Sequence, residues 1–178
     1  MINTLARRSP LGRRSTLLAT LLCFTLLLAG PASAVEDLEI EADDFDGDGR
    51  AGVVTYRGNV VMRHQEMTIH ADRMRFHQTP DGDPERAEFD GEPVRLRVIH
   101  ESGPDTRGQA RQIHYRFDTE HLQLIDEAEL QQGRQLISAA HIDYNMPTEQ
   151  VRAQRGEDEE SRVRTRFQQN GEEENGGD

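Results

Sequence analysis

The residues whose types and spacing come nearest to doing chemistry are Asp44, Asp46 and Asp48, which with Phe45, Gly47 and Gly49 read Asp-Phe-Asp-Gly-Asp-Gly. Carboxylates at the first, third and fifth positions with glycine at the sixth match the opening of a calcium loop, where a hard cation takes oxygen ligands and the chain must turn sharply. The twelfth position is Thr55, so the bidentate carboxylate that closes such a loop is missing, and strand-like segments stand where helices are needed. The run reads better as an acidic turn between two strands. The seven histidines, His64, His70, His77, His100, His114, His121 and His141, never fall at His-x-His or His-x-x-x-His spacing, and many alternate with apolar residues, which places them toward solvent rather than on a metal. Carboxylates are too numerous for any pair to stand out, and Ser102 and Ser138 lack the turn that exposes a nucleophilic serine. Neither catalysis, a cofactor nor a metal is expected.

The elements that would carry any site are bounded by charge and composition. Four of the 21 basic residues precede residue 35 and all 33 acidic residues follow it, so the remainder carries 17 basic against 33 acidic groups, a balance of −16. Every basic residue is arginine. Without a basic surplus to neutralise phosphates, non-specific nucleic-acid binding is excluded. Arg7, Arg8, Arg13 and Arg14 precede an apolar run from Leu17 to Ala29, and Ala32-Ser33-Ala34 supplies small residues where a signal peptidase reads. The run falls short of the roughly 20 apolar residues of a membrane span, so residues 1–34 are expected to be a cleaved export signal. The sole cysteine, Cys23, lies inside it, leaving no disulfide and no thiol nucleophile. Residues 35–155 are expected to form one β domain. Residues 156–178, rich in Glu and Gly and poor in apolar side chains, are expected to be a disordered acidic tail.

Alternation of apolar and charged residues in Leu38-Glu39-Ile40-Glu41-Ala42, Val94-Arg95-Leu96-Arg97-Val98 and His121-Leu122-Gln123-Leu124 predicts strands with one buried face. Eleven short strands are expected, with breaks near residues 58, 91–92 and 126. Sliding residues 42–76 by 68 positions onto 110–144 superposes ten apolar pairs, among them Val54 with Leu122, Val60 with Ala128, Met62 with Leu130 and Met74 with Ile142. The shared phase marks an inward face: Val54, Tyr56, Val60, Met62, Ile69, Met74, Phe76, Leu96, Leu122, Leu124, Leu130 and Ile142. These side chains either fill a closed core or line a trough between layers that do not close, able to cover acyl chains.

Ile40-Glu41-Ala42-Asp43, Gly52-Val53-Val54-Thr55-Tyr56-Arg57-Gly58-Asn59-Val60, Ile69-His70-Ala71-Asp72-Arg73-Met74, Ala87-Glu88-Phe89-Asp90-Gly91-Glu92-Pro93-Val94 and Ile137-Ser138-Ala139-Ala140-His141-Ile142-Asp143-Tyr144 together resemble the OstA-like, or LptA, family of periplasmic lipopolysaccharide-transport proteins. The resemblance spans about residues 38–155. The second copy departs from the pattern, with Asp126-Glu127-Ala128 where the first has Gly58-Asn59-Val60, and Ala140 in place of the Asp of the Ala-Asp pair. The resemblance implies an all-β, open, twisted antiparallel jelly roll of two facing layers, located in the periplasm and without enzymatic turnover. It also implies that lipid A acyl chains of lipopolysaccharide ride in the interior. Partners implied are an inner-membrane LptC-like protein, an outer-membrane LptD-like translocon and further copies stacked head to tail. The unpaired sheet edges for such stacking are expected at Leu38, Ile40 and Ala42 on one side and at Ile142, Tyr144, Val151 and Ala153 on the other. Two alternatives stand beside this reading: a membrane-anchored LptC-like component, and an exported calcium- or glycan-binding β module.

Overall fold

The computed structural model describes residues 38–48, 52–157 and 161–168. Among them, period-two patterning gives strands wherever the sequence predicts them, but fewer and longer ones. The strands are β1 (Leu38–Glu41), β2 (Asp44–Asp48), β3 (Val53–His64), β4 (Met67–Gln78), β5 (Pro84–Val98), β6 (Thr106–Arg116), β7 (His121–Gln132), β8 (Gln135–Asn145), β9 (Gln150–Gln154) and β10 (Arg164–Phe167). They form one sheet in the order β1-β3-β4-β5-β6-β7-β8-β10, with β2 also on β3 and β9 also on β8. Every neighbouring pair is antiparallel.

The expected breaks near residues 58, 91–92 and 126 are not strand ends. They are register shifts inside β3 (between Arg57 and Val60), β5 (between Asp90 and Val94) and β7 (between Ile125 and Ala128), with matching shifts in β4 and β6. A bulge leaves extra residues unpaired on one strand and bends it. Because these bulges lie side by side across the sheet, they make a crease, and each long strand contributes one half to either side. Layer one holds the halves such as Val60–His64 and Val94–Val98. Layer two holds Val53–Arg57, Pro84–Asp90 and their neighbours. The two halves face each other: a Cβ placed on Gly108 in layer one would lie 3.0 Å from Leu124 Cδ2 in layer two.

Local chemistry explains the crease. Two residues of β3, Gly58 and Asn59, stand opposite one residue of β4 and adopt φ of 75° and 46°. In β7, Asp126 and Glu127 do the same with φ of 59° and 53°. The departure of the second copy from Gly58-Asn59 therefore preserves the backbone conformation. The 68-residue repeat is a structural one: it carries β3 onto β7 and β4 onto β8, and it matches the hairpin turn residue Gln65 (φ 51°) with Gly133 (φ 55°). The Ala-Asp pairs serve the same line. Ala71 is buried on it while Ala42 is exposed, and Asp43 and Asp72 accept hydrogen bonds there from Asn59 Nδ2 (2.8 Å) and the Glu92 backbone N–H (3.2 Å). Small side chains let the layers converge, and the carboxylates engage donors where the ladder is interrupted.

At the edges, the continuous strand expected from residue 38 to 46 is divided, β1 pairing with the layer-one half of β3 and β2 with its layer-two half. Asp44–Asp48 is thus a strand and not the expected acidic turn, and Asp46 lies 3.7 Å from Arg57. Within the span expected to be a disordered tail, Arg164–Phe167 instead pairs with Gln135–Ser138 of β8, because that half of β8 offers unpaired backbone groups beside the short β9. The export signal lies outside the described residues.

Candidate lipid-binding interior

The inner faces of the two layers meet in one apolar cluster. Layer one supplies Val60, Met62, Met67, Ile69, Leu96 and Leu130, and layer two supplies Met74, Phe76, Phe89, Ile113, Leu122, Leu124, Ile142 and Tyr144, each at most 5% exposed. Ten of the twelve residues proposed from sequence for the inward face are buried here, while Val54 and Tyr56 are partly buried and packed against the cluster. Sequence reasoning missed Phe89 and Tyr115. They sit on β5 and β6, the hairpin between the two repeated hairpins, and their alternation alone could have found them.

The interior is packed rather than an open trough. Opposite the crease, the lips of the two layers are joined by His64 and Tyr115, whose Nδ1 and hydroxyl are 3.1 Å apart. Phe117 stacks edge-on against His64, Phe76 and Tyr115 at ring separations of 5.2, 5.7 and 4.8 Å. His64, not among the residues proposed from sequence for the inward face, is therefore inside, at 5% exposure. Further along the same lip His100 Nε2 is 2.9 Å from Thr106 Oγ1. Burial pushes the Tyr144 phenol pKa up, against a smaller lowering by the neighbouring Thr106 and Gln132 side chains.

At the two edges the apolar surface continues into solvent. On the N-terminal side Leu38 and Ile40 extend it, and Phe45, packed edge-on to Tyr56 at 5.3 Å, is 66% exposed. On the C-terminal side Val151 and Ala153 extend it, and Phe167, paired with Gln135, is 70% exposed. The repeat matches Phe45 with Ile113, yet Ile113 is fully buried; an edge strand has a neighbour on one side only, so Phe45 lacks cover. Of the expected edge residues, Leu38 and Ile40 lie on β1, and Val151 and Ala153 on β9. Ala42 falls between β1 and β2. Ile142 and Tyr144 are corrected: they lie on β8, bonded to both β7 and β9, with side chains fully buried.

The outer faces are ionic. On layer two Glu88 is held by Arg75 (2.9 Å) and Arg86 (3.1 Å), with His77 at 3.4 Å. Burial pushes the Glu88 carboxyl upward, but the Arg86 hydrogen bond and the charges of Arg75 and the nearby histidines outweigh it, so its pKa is net lowered. His77 is lowered, first by burial and then by Arg86. No group of three or more potential ligands that could hold a metal occurs among the described residues, and Asp44–Asp48, extended along β3, does not wrap around a cation.

Aligned bulges, two facing layers and an apolar interior that runs from edge to edge define an OstA-like β-jelly roll. Residues 39–150 match the family described as LptA/(LptD N-terminal domain) LPS transport protein. The lipopolysaccharide export system protein LptA of Escherichia coli strain K12 is 30% identical over 140 residues, covering 74% of this chain and 75% of the relative. LptA of Haemophilus influenzae is 28% identical over 135 residues, covering 72% and 78%. The crystal structure of LptH from Pseudomonas aeruginosa, described as a periplasmic component of a lipopolysaccharide transport device, superposes with a TM-score of 0.69 at 21% identity, over 75% of this chain and 96% of that one. The chain belongs to the LptA/(LptD N-terminal domain) LPS transport protein family. It is a periplasmic transport component and not an enzyme, as its sequence led us to expect.

Proposed function

We propose that this chain conveys lipopolysaccharide across the periplasm by sheltering lipid A acyl chains between its two layers, and that copies or partners join it edge to edge. The observation that carries this reading is the continuity of the apolar surface, which reaches solvent at Phe45 on one edge and Phe167 on the other. A closed core of a solitary module has no need of large apolar groups at both ends of the same sheet. The N-terminal edge, β1 with β2, would receive an LptC-like inner-membrane partner, and the C-terminal edge, β9 with β10, would meet an LptD-like outer-membrane partner. Removal of acyl surface from water at roughly 25 cal/mol per Å² offsets the repacking that entry between the layers demands. The methionines Met62, Met67 and Met74 suit that repacking, because unbranched thioether chains adapt to irregular shapes.

Photo-crosslinking in the periplasm tests the route. A photoreactive residue at Met62 or Leu124 should capture lipopolysaccharide, and one at the exposed Arg73 should not; equal capture at all three positions would reject an interior path. Cleavage after Ala34 belongs to the same reading. A mature N-terminus at Val35 is expected by sequencing of the purified protein, whereas a retained segment 1–34 would favour the membrane-anchored LptC-like alternative.

A further inference from the structure

On the outside of layer one, away from the apolar interior, a groove of about 420 Å³ is lined by His70, Arg95, Arg97, Arg107, Gly108 and Leu136 among others. Strand pairing assembles it: His70 lies opposite Arg95, and Arg97 lies opposite Arg107. Like charges directly opposite each other on one sheet face are destabilising. On the outer face of layer two arginines also stand opposite each other, Arg57 to Arg73 and Arg86 to Arg116, but each of these four has a carboxylate partner within 4 Å, Asp46, Asp90, Glu88 and Asp118 in turn. In the groove only Arg97 is paired, to Asp105 at 2.6 Å. Arg95 and Arg107 have no ion pair among the described residues, although the sequence holds 33 acidic residues. The one carboxylate in the lining, Glu129, accepts a hydrogen bond from Gln109 at 2.8 Å. The lining also includes Leu96 and Gly108, the latter with no side chain of its own.

We propose that this groove binds a phosphate monoester, held between Arg95 and Arg107 with His70 at one side. Guanidinium groups fit phosphate oxygens through paired N–H donors, and Arg95 and Arg107, which have no ion pair among the described residues, offer such donors on two sides of the groove. The site stands on the outer face and is independent of acyl-chain binding in the interior. The phosphate could belong to a soluble ligand or to a lipid headgroup.

The test uses the protein as purified from the periplasm, titrated with inorganic phosphate while backbone amide resonances are followed, against sodium chloride at matched ionic strength. In parallel, sedimentation is measured with vesicles of phosphatidylcholine and phosphatidic acid in equal parts. Saturable shifts at Arg95, Arg107 and Gly108 are expected with phosphate and not with chloride. The R95Q/R107Q variant should bind about tenfold more weakly or worse, since charge-assisted hydrogen bonds are lost at both sides of the anion. Arg152→Gln, on β9 outside the groove, should bind as the parent does. Circular dichroism and thermal unfolding report on folding, and R107Q should be no less stable than the parent because it removes a like-charge pair. Phosphate binding lost in the double variant supports a site open to soluble phosphate. Vesicle binding alone, lost in the same variant, supports a headgroup source. Equal binding by the folded double variant and the parent, or no saturable response to either probe, overturns the proposal.

Discussion

Replacing Gly58 with Ala probes whether the crease governs this fold. Gly58 has φ of 75°, a region in which an L-residue with a Cβ costs about 1–2 kcal/mol. The added methyl would overlap Asp43 Oδ2 and sit 3.0 Å from Asp43 Cβ and 3.1 Å from its Cγ. Asp43 must then move, although its N–H donates to the Gly58 carbonyl at 2.9 Å and its carboxylate accepts from Asn59 Nδ2 at 2.8 Å. Loss of one such hydrogen bond costs about 0.5–1.5 kcal/mol. The expected destabilisation is therefore about 2–3 kcal/mol, a large part of the roughly 5–15 kcal/mol that holds a domain folded. Urea unfolding followed by circular dichroism measures it. Removing the Asp43 carboxylate first, with Asp43→Ala, should lower the cost of Gly58→Ala by about 1 kcal/mol, leaving the backbone share and the 3.0 Å contact with the Cβ that remains at position 43. A loss below about 0.5 kcal/mol for Gly58→Ala, within the range of ordinary surface changes, would show that the left-handed backbone and the Asp43 contact do not hold the bend.

Two further outcomes follow from the same structure. Acidification should destabilise the domain in two stages: His77, lowered from its ordinary 6.5, contributes stability that is present above that value and lost as pH falls through its folded pKa, and Glu88, lowered from 4.5, behaves likewise at lower pH. Thermal unfolding across pH 7 to 3 checks this, and His77→Gln should remove the upper stage; a profile in which His77→Gln leaves that stage intact would contradict the assignment. Phe45→Arg should leave unfolding within about 0.5 kcal/mol of the parent, because Phe45 is 66% exposed, yet weaken self-association seen by light scattering over a concentration series. Unchanged association would remove β2 from the proposed junction.

Much of this molecule is legible in the order of its residues. Side chains alternate across a strand with period two, so the inward phase of Val60, Met62, Leu122 and Leu124 follows from spacing alone, and the 68-residue offset by itself matches β3 with β7 and β4 with β8. Tertiary structure decides what periodicity cannot express. A bulge and a strand end look alike in sequence, since both interrupt alternation, and only the resumption of pairing beyond Gly58-Asn59, Gly91-Glu92-Pro93 and Asp126-Glu127 turns three apparent breaks into one crease. Edges are similarly hidden: Ile142 and Tyr144 alternate as cleanly as Val151 and Ala153, but β9 covers the first pair. Closure of the lip by His64, Tyr115 and Phe117 joins residues 51 positions apart and more, across two layers, and the grouping of Arg95, Arg97 and Arg107 depends on the register of β5 against β6. Local sequence sets which way each side chain points, because that is a property of the strand itself; which side chains meet is set by pairing and folding of the sheet, which are non-local.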